Sequence, residues 1–499
     1  MTRCDAKLAL RTTLLLCILC LGAQATAAVL TVTTASDALA ADGDCSLREA
    51  ITAANTNAAV NECPAGEASL DIIGFAIPGA GVHTIAPASA LPALNGPVFL
   101  DGYTQLGSSP NTLDVGNDAV LTIELEGFAA GAVDGLVLQA GASGSTVRGL
   151  VINRFRSGSA DVAGIFLDGA TGVTVEGNFV GTDPFGTVAA PNYFGINVLS
   201  SPGNILGGAA PASRNLISGN ANSGVRITSS ASQDNVVRGN YIGVDRSGTL
   251  ALGNGNQGLR VDSAAFNMVG GPLAGEGNVI SANAAEGVRL SFATGAVVEG
   301  NWVGTDALGN AVLGNFLGGV QIFNAAGMTV TANTIAGNGG LGIDLDPDGV
   351  SPTDGVTAND LGDPDSGAND LQNYPVLSSA VGDGAALTVE GTLNSEPDLA
   401  YTLEFYANEA CDESGHGEGE EFLGEWDVAT DGSGDANFAA MVDPVTDGTV
   451  ITATATSEDG STSEFSACII AVPEPSHALL LVTGALVLLG AQRLRVGRA

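Results

Sequence analysis

The chain has 499 residues, a formal net charge of −38, 70 glycines and 5 % aromatic residues. After Lys7 it contains no lysine, so the clustered cations that phosphate contacts need are lacking, and binding to nucleic acid or an anionic membrane surface by charge is excluded. Charged residues make up 14 % and hydrophobic residues 45 %, which argues against disorder and for many short strands and turns.

Arg3, Lys7 and Arg11 precede an apolar stretch from Thr12 to Gly22 and the small residues Ala25-Thr26-Ala27-Ala28. This order predicts a signal peptide over residues 1–28 and export. Cys45, Cys63, Cys411 and Cys468 remain after cleavage as two sequence-local pairs. In an oxidising compartment they predict bridges Cys45–Cys63 and Cys411–Cys468; metal binding by these thiols is the alternative, without any C-x-x-C spacing to support it. Residues 29–70 read as an N-terminal cap. Ser46-Leu47-Arg48-Glu49 has the capping-box pattern that starts a short helix, with Leu47, Ala50, Ile51 and Ala54 on the face that covers the first coil.

Residues 71–343 are repetitive. Val175-Glu176-Gly177-Asn178-Phe179-Val180-Gly181-Thr182-Asp183 returns around Asn240 and Asn301, at spacings of 62 and 61 residues. A second motif, glycine followed by apolar, variable and apolar residues, recurs from Gly135 to Gly342 at intervals of 23 to 34 residues. Each long repeat therefore holds two coils of short alternating strands joined by Gly and Asn turns. Such strands bury their apolar face only by stacking on neighbouring coils, which is a parallel β-helix; about ten coils at roughly 4.8 Å give a rod of about 48 Å. Asn178, Asn240 and Asn301 are candidates for a corner ladder.

Arg226, Arg260 and Arg289 fall at the outward middle position of coil strands, a stripe suited to the uronates or sulfates of an acidic glycan; the alternative is charge balance against neighbouring carboxylates. Asp183, Asp245 and Asp306 lie two coils apart, roughly 9.6 Å, at the limit of the carboxylate separation of inverting glycosidases. The same spacing follows from simple repetition of a turn. His83 and His416 lie near no nucleophile motif, and Gly253-Asn254-Gly255-Asn256-Gln257-Gly258 precedes a strand where a dinucleotide-binding fingerprint needs a helix.

Residues 344–375 are rich in aspartate. Asp344-Leu345-Asp346-Pro347-Asp348-Gly349 resembles the opening of a calcium loop, although the twelfth position is Gly355. Asp354, Asp360, Asp363, Asp365 or Asp370 would have to close such a site. The site predicted is Asp344, Asp346, Asp348, Asp354 and Asp360 around calcium; a solvated acidic linker is the alternative.

The segment Cys45–Ala50, Ser89-Ala90-Leu91-Pro92, Leu100–Gln105, the repeated Gly-Asn turns and the acidic stretch together resemble the CSLREA group of bacterial extracellular β-helix repeat proteins, over roughly residues 30 to 377. The resemblance implies a right-handed, pectate-lyase-like parallel β-helix. It does not select an activity, since the fold carries lyases, hydrolases, epimerases, adhesins and inert stalks.

Residues 376–470 alternate in strand fashion with turns every dozen residues or so, predicting a small immunoglobulin-like β-sandwich and hence an all-β chain. Residues 472–499 carry Pro473, Glu474 and Pro475, an apolar run of 14 residues from Ala478 to Ala491, and Arg493, Arg495 and Arg498. That run is too short for a comfortable span of a ~30 Å hydrocarbon core. The order resembles the PEP-CTERM sorting signal of Gram-negative bacteria, which implies an exosortase-type partner, membrane contact only through this segment before processing, and residence at the outer surface or in the extracellular matrix. The resulting expectation is a secreted, surface-sorted β-helix that is adhesive, glycan-binding or structural. A polysaccharide lyase or hydrolase is the rival reading, and the missing lysine base speaks against a lyase.

Overall fold

The computed structural model describes residues 27–156, 162–346 and 355–474. Three long sheets of ten, nine and eight strands, called I, II and III here, form the rod. All neighbours within them run parallel, and each turn of the chain lays one strand on each sheet. One such coil comprises Val236–Arg238 on sheet I, Tyr241–Ile242 on sheet II and Leu259–Asp262 on sheet III. The fold is a parallel β-helix.

Alternation drives it. In Val225–Thr228 the buried residues are Val225 and Ile227, while Arg226 and Thr228 face outward. Val237, Ile242, Leu259 and Val261 complete the same inward pattern on the next coil with no exposed surface. A short strand gains its hydrophobic stabilisation only from the coils above and below.

The corners are held by asparagines. Asn178, Asn215, Asn240, Asn278, Asn301 and Asn333 form a ladder between sheets I and II, each Nδ2 donating to the next Oδ1 at 2.9–3.3 Å. The three asparagines expected from the repeat are alternate rungs of it. A second ladder, between sheets II and III, runs from Asn192 through Asn220, Asn254, Asn283 and Asn315 to Asn338 at 2.9–3.1 Å. Asn204, Asn235 and Asn267 form a shorter third. Each rung offers two donors and an acceptor to backbone that water cannot reach. Gly177, Gly239 and Gly300 precede first-ladder rungs at φ of 64°, 67° and 67°, a left-handed conformation that explains the Gly-Asn pairing.

The capping box forms as expected: Ser46 is the N-cap of a helix Leu47–Thr56, Glu49 N donates to Ser46 Oγ at 3.2 Å, and Ser46 N donates to Glu49 Oε2 at 2.9 Å. Leu47, Ala50, Ile51 and Ala54 are buried in the rod's core. The boundary differs from the expected one, because Val29–Val32 already pairs with Asp71–Phe75 in sheet I. The helix is thus an excursion after the first strand. Both predicted disulfides form, with Cα separations of 5.0 Å for Cys45–Cys63 and 6.1 Å for Cys411–Cys468.

The C-terminal domain packs two four-stranded sheets around Leu387, Leu403, Phe405, Ala440 and Ile451. Val472–Pro473 extends it by pairing with Val381–Gly382, and Glu474 N donates to Gly382 O at 2.9 Å. Pro475, the rest of the predicted sorting segment and residues 1–26 of the predicted signal peptide lie outside the described residues.

This sandwich sits on the last coil. Glu404 accepts from Ala332 N at 3.2 Å and from the Thr331 hydroxyl, Glu418 from Asn338 N at 3.1 Å, and Glu464 from Leu345 N at 3.0 Å. All three glutamates are contributed from the sandwich to backbone that the rod itself has no further coil to satisfy.

Candidate functional site

Register places the candidate arginines in one file. Asn197, Arg226, Arg260, Arg289, Gln321 and Asp344 are direct neighbours across successive strands of sheet III. Parallel strands stand roughly 4.8 Å apart, so the three guanidinium stems span about 10 Å. Each arginine is partly exposed. Beside them, Thr228, Asp262 and Ser291 form a second file.

Their charges are unequally engaged. Arg260 Nε lies 2.7 Å from Asp262 Oδ2, and Arg226 Nε lies 3.9 Å from the same oxygen. The Arg226 guanidinium carbon also stands 5.1 Å from the centre of the Phe194 ring. Arg289 Nε donates to Ser291 Oγ at 3.2 Å, and among the described residues no carboxylate lies within 4.0 Å of it. On the other flank Ser223 Oγ donates to Gln257 Oε1 at 3.1 Å, and Gln257 Nε2 to Glu286 Oε2 at 3.0 Å.

Most other arginines serve the fold. Arg48 pairs with Asp37 at 2.7 Å, Arg148 with Asp101 at 2.8 Å and Arg238 with Glu276 at 2.5 Å. Arg214 and Arg246 clasp a long loop that follows Val98–Asp101, the third strand of sheet I, and lies across sheet II. Arg214 donates to Gly116 O at 2.6 Å and Asp114 O at 2.7 Å, and Arg246 donates to Asn117 O at 2.6 Å. Between this loop and the sheet lies a cavity of about 390 Å³ lined by Asp114, Pro211, Arg214, Tyr241, Trp302 and Ala307. Nothing in the sequence pointed to it, since loop and floor lie about a hundred residues or more apart.

The turn aspartates are occupied with their own turns. Asp183 Oδ1 accepts from Thr187 N and Val188 N at 2.8 and 2.9 Å; Asp245 Oδ1 accepts from Ser247 N at 3.1 Å; and Asp306 Oδ1 accepts from Asn310 N at 2.8 Å. They cap loops that repeat with the coils.

The acidic stretch is divided. Asp344 and Asp346 stand on Ile343–Asp346, the last strand of sheet III, instead of opening a loop, and Gln321 Nε2 donates to both at 3.2 and 3.4 Å. Carboxylates at alternate positions are equally the period of a strand. Asp348 and Asp354 lie outside the described residues. Asp360 is brought together with Asp363 and Asp365.

No protein-family model and no curated protein sequence matches this chain. Among solved structures, the enzymatically active domain of tailspike protein 2 of bacteriophage CBA120 superposes with a TM-score of 0.34 at 9 % identity, covering 80 % of this chain and 72 % of that one. The mannuronan C-5 epimerase AlgE4 A-module of Azotobacter vinelandii gives 0.24 at 16 % identity, covering 60 % and 92 %. At these scores the likenesses bear on neither activity nor substrate.

Proposed function

We propose that this protein is an exported β-helix of the cell envelope or extracellular matrix that associates with an acidic polysaccharide along sheet III. The observation that carries the reading is the file Arg226–Arg260–Arg289: of ten arginines between residues 29 and 474, three stand in register on one sheet. With no lysine after Lys7 and a strongly acidic balance, the chain repels polyanions over most of its surface, so an aligned cationic file gives a linear anionic polymer a favourable track. The two disulfides fit an oxidising compartment. The signal-like N-terminus and the tail 472–499 support export and processing by an exosortase-type enzyme.

Size-exclusion chromatography with a panel of acidic and neutral polysaccharides tests this, following polymer length and co-elution together. Co-elution with intact acidic polymer, weakened by salt and reduced about tenfold by Arg289→Ala combined with Arg260→Ala, is the expected result. Shortened polymer would make the protein an enzyme. Retention by the arginine variants with loss in Trp302→Ala would move the site to the cavity on sheet II.

A further inference from the structure

The segment joining rod and sandwich gathers three carboxylates. One oxygen from each of Asp360, Asp363 and Asp365 lies within 4.8 Å of the other two. Asp360 and Asp365 are exposed, whereas Asp363 is buried at 5 % exposure.

The buried member is satisfied on one side only. Asp363 Oδ2 accepts from Gln372 Nε2 at 2.9 Å, from Asn373 N at 3.1 Å and from the Ser395 hydroxyl. Its other oxygen, Oδ1, is buried with no hydrogen-bond partner. A buried carboxylate oxygen left without a donor is uncommon in folded proteins and calls for an explanation. Burial, with Asp365 and Asp360 as lesser contributors, pushes this carboxyl up to about 6. Among the described residues no arginine pairs with any of the three within 4.0 Å.

Besides the bonds to Asp363, backbone and asparagine contacts hold the loop in place. Asp360 N donates to Asn373 Oδ1 at 3.0 Å, Tyr374 N to Asn359 Oδ1 at 3.0 Å, and Gly362 N to Asn394 Oδ1 at 2.8 Å. Asn394 ends the sandwich strand Leu387–Asn394, so the acidic loop is fixed to that domain.

We infer that Asp360, Asp363 and Asp365 form a calcium site, with Asp363 Oδ1 as the buried ligand. Calcium binds oxygen at about 2.3–2.6 Å, so two ligands of one ion stand at most about 5 Å apart, and these three oxygens lie within 4.8 Å of one another. Two exposed carboxylates leave room for water to complete a shell of about six to eight oxygens. None of the three belongs to the alternating run Asp344, Asp346 and Asp348, and only Asp360 is shared with the calcium site expected from the sequence; the site stands or falls apart from the glycan reading.

The test is calorimetric titration of the metal-free protein with calcium chloride, repeated with magnesium chloride, together with thermal melting. The expected result is one calcium per chain, a raised melting temperature, and affinity lowered at least tenfold in Asp365→Asn and in Asp360→Asn, whose exposed positions leave the fold intact. Asp344→Asn should bind as the parent does. Absence of a calcium heat and of a melting shift would overturn the assignment. So would unchanged affinity in Asp365→Asn, or tighter binding of magnesium than of calcium.

Discussion

Asn338 Nδ2 donates to Glu418 Oε1 at 3.1 Å, so a carboxylate from the sandwich stands where the next asparagine of the ladder would be. The same carboxylate accepts from Asn338 N and from Gly337 N. One side chain therefore serves three donors at the end of the stack.

Glu418→Ala should lower stability by about 3 kcal/mol, since each buried donor stripped of its acceptor costs about 1–3 kcal/mol and the site can partly rearrange. Glu418→Gln, which keeps one acceptor oxygen, should lose less. Equilibrium denaturation of the two variants checks the order; equal midpoints for Glu418→Ala and the parent would contradict it.

Stability should rise on mild acidification. Burial raises the carboxyls of Glu404 and Glu418 above the ordinary 4.5, with Glu425 adding to the first and Asp412 to the second, while the hydroxyls of Thr331 and Tyr406 donate to Glu404 and offset part of its rise. Between 4.5 and the raised values the folded chain holds more protons than the unfolded one, so stability falls as pH increases through that window. Melting at pH 5 should exceed melting at pH 7, and the difference should shrink in the Glu404→Gln/Glu418→Gln double variant.

Asn278 is a mid-ladder rung: it accepts from Asn240 N and Nδ2 at 3.0 Å each and donates to Val237 O at 2.8 Å and Asn301 Oδ1 at 2.9 Å. Asn278→Ala should cost about 3 kcal/mol. Asn278→Asp should do no better at neutral pH, because it buries a charge and removes two donors. Denaturant midpoints for the pair decide this.

Replacing Cys411 and Cys468 together by serine should destabilise by up to about 4 kcal/mol, and replacing Cys45 and Cys63 by about 3 kcal/mol, because the closed loops contain about 57 and 18 residues. Thermal melting with and without reductant should show both losses in the parent and neither in a chain lacking all four cysteines.

Local signals were legible and long-range ones were not. Ser46 and Glu49 lie three positions apart, and the rungs Asn178, Asn240 and Asn301 sit in a repeated nonapeptide, so sequence alone found them. Asn215, Asn278 and Asn333 are rungs of equal weight that lack that peptide context. The alternation of Asp344 and Asp346 fits a calcium loop and a strand alike, because both place carboxylates at every second residue. Glu404, Glu418 and Glu464 carry no signature, since their partners lie 72 to 119 residues earlier. The cavity beneath the crossing loop is hidden for the same reason.

The placement of the sandwich on the final coil also fixes what the rod cannot become. Gly419 and Ile335 exchange backbone hydrogen bonds at 2.7 and 2.9 Å, so the outermost strand of sheet II already has a partner. A bare terminal coil would offer its ladder to the first coil of another molecule, a head-to-tail contact that does not close on itself and grows into filaments. The sandwich thus closes this end of the rod to further stacking of coils and fixes its length there.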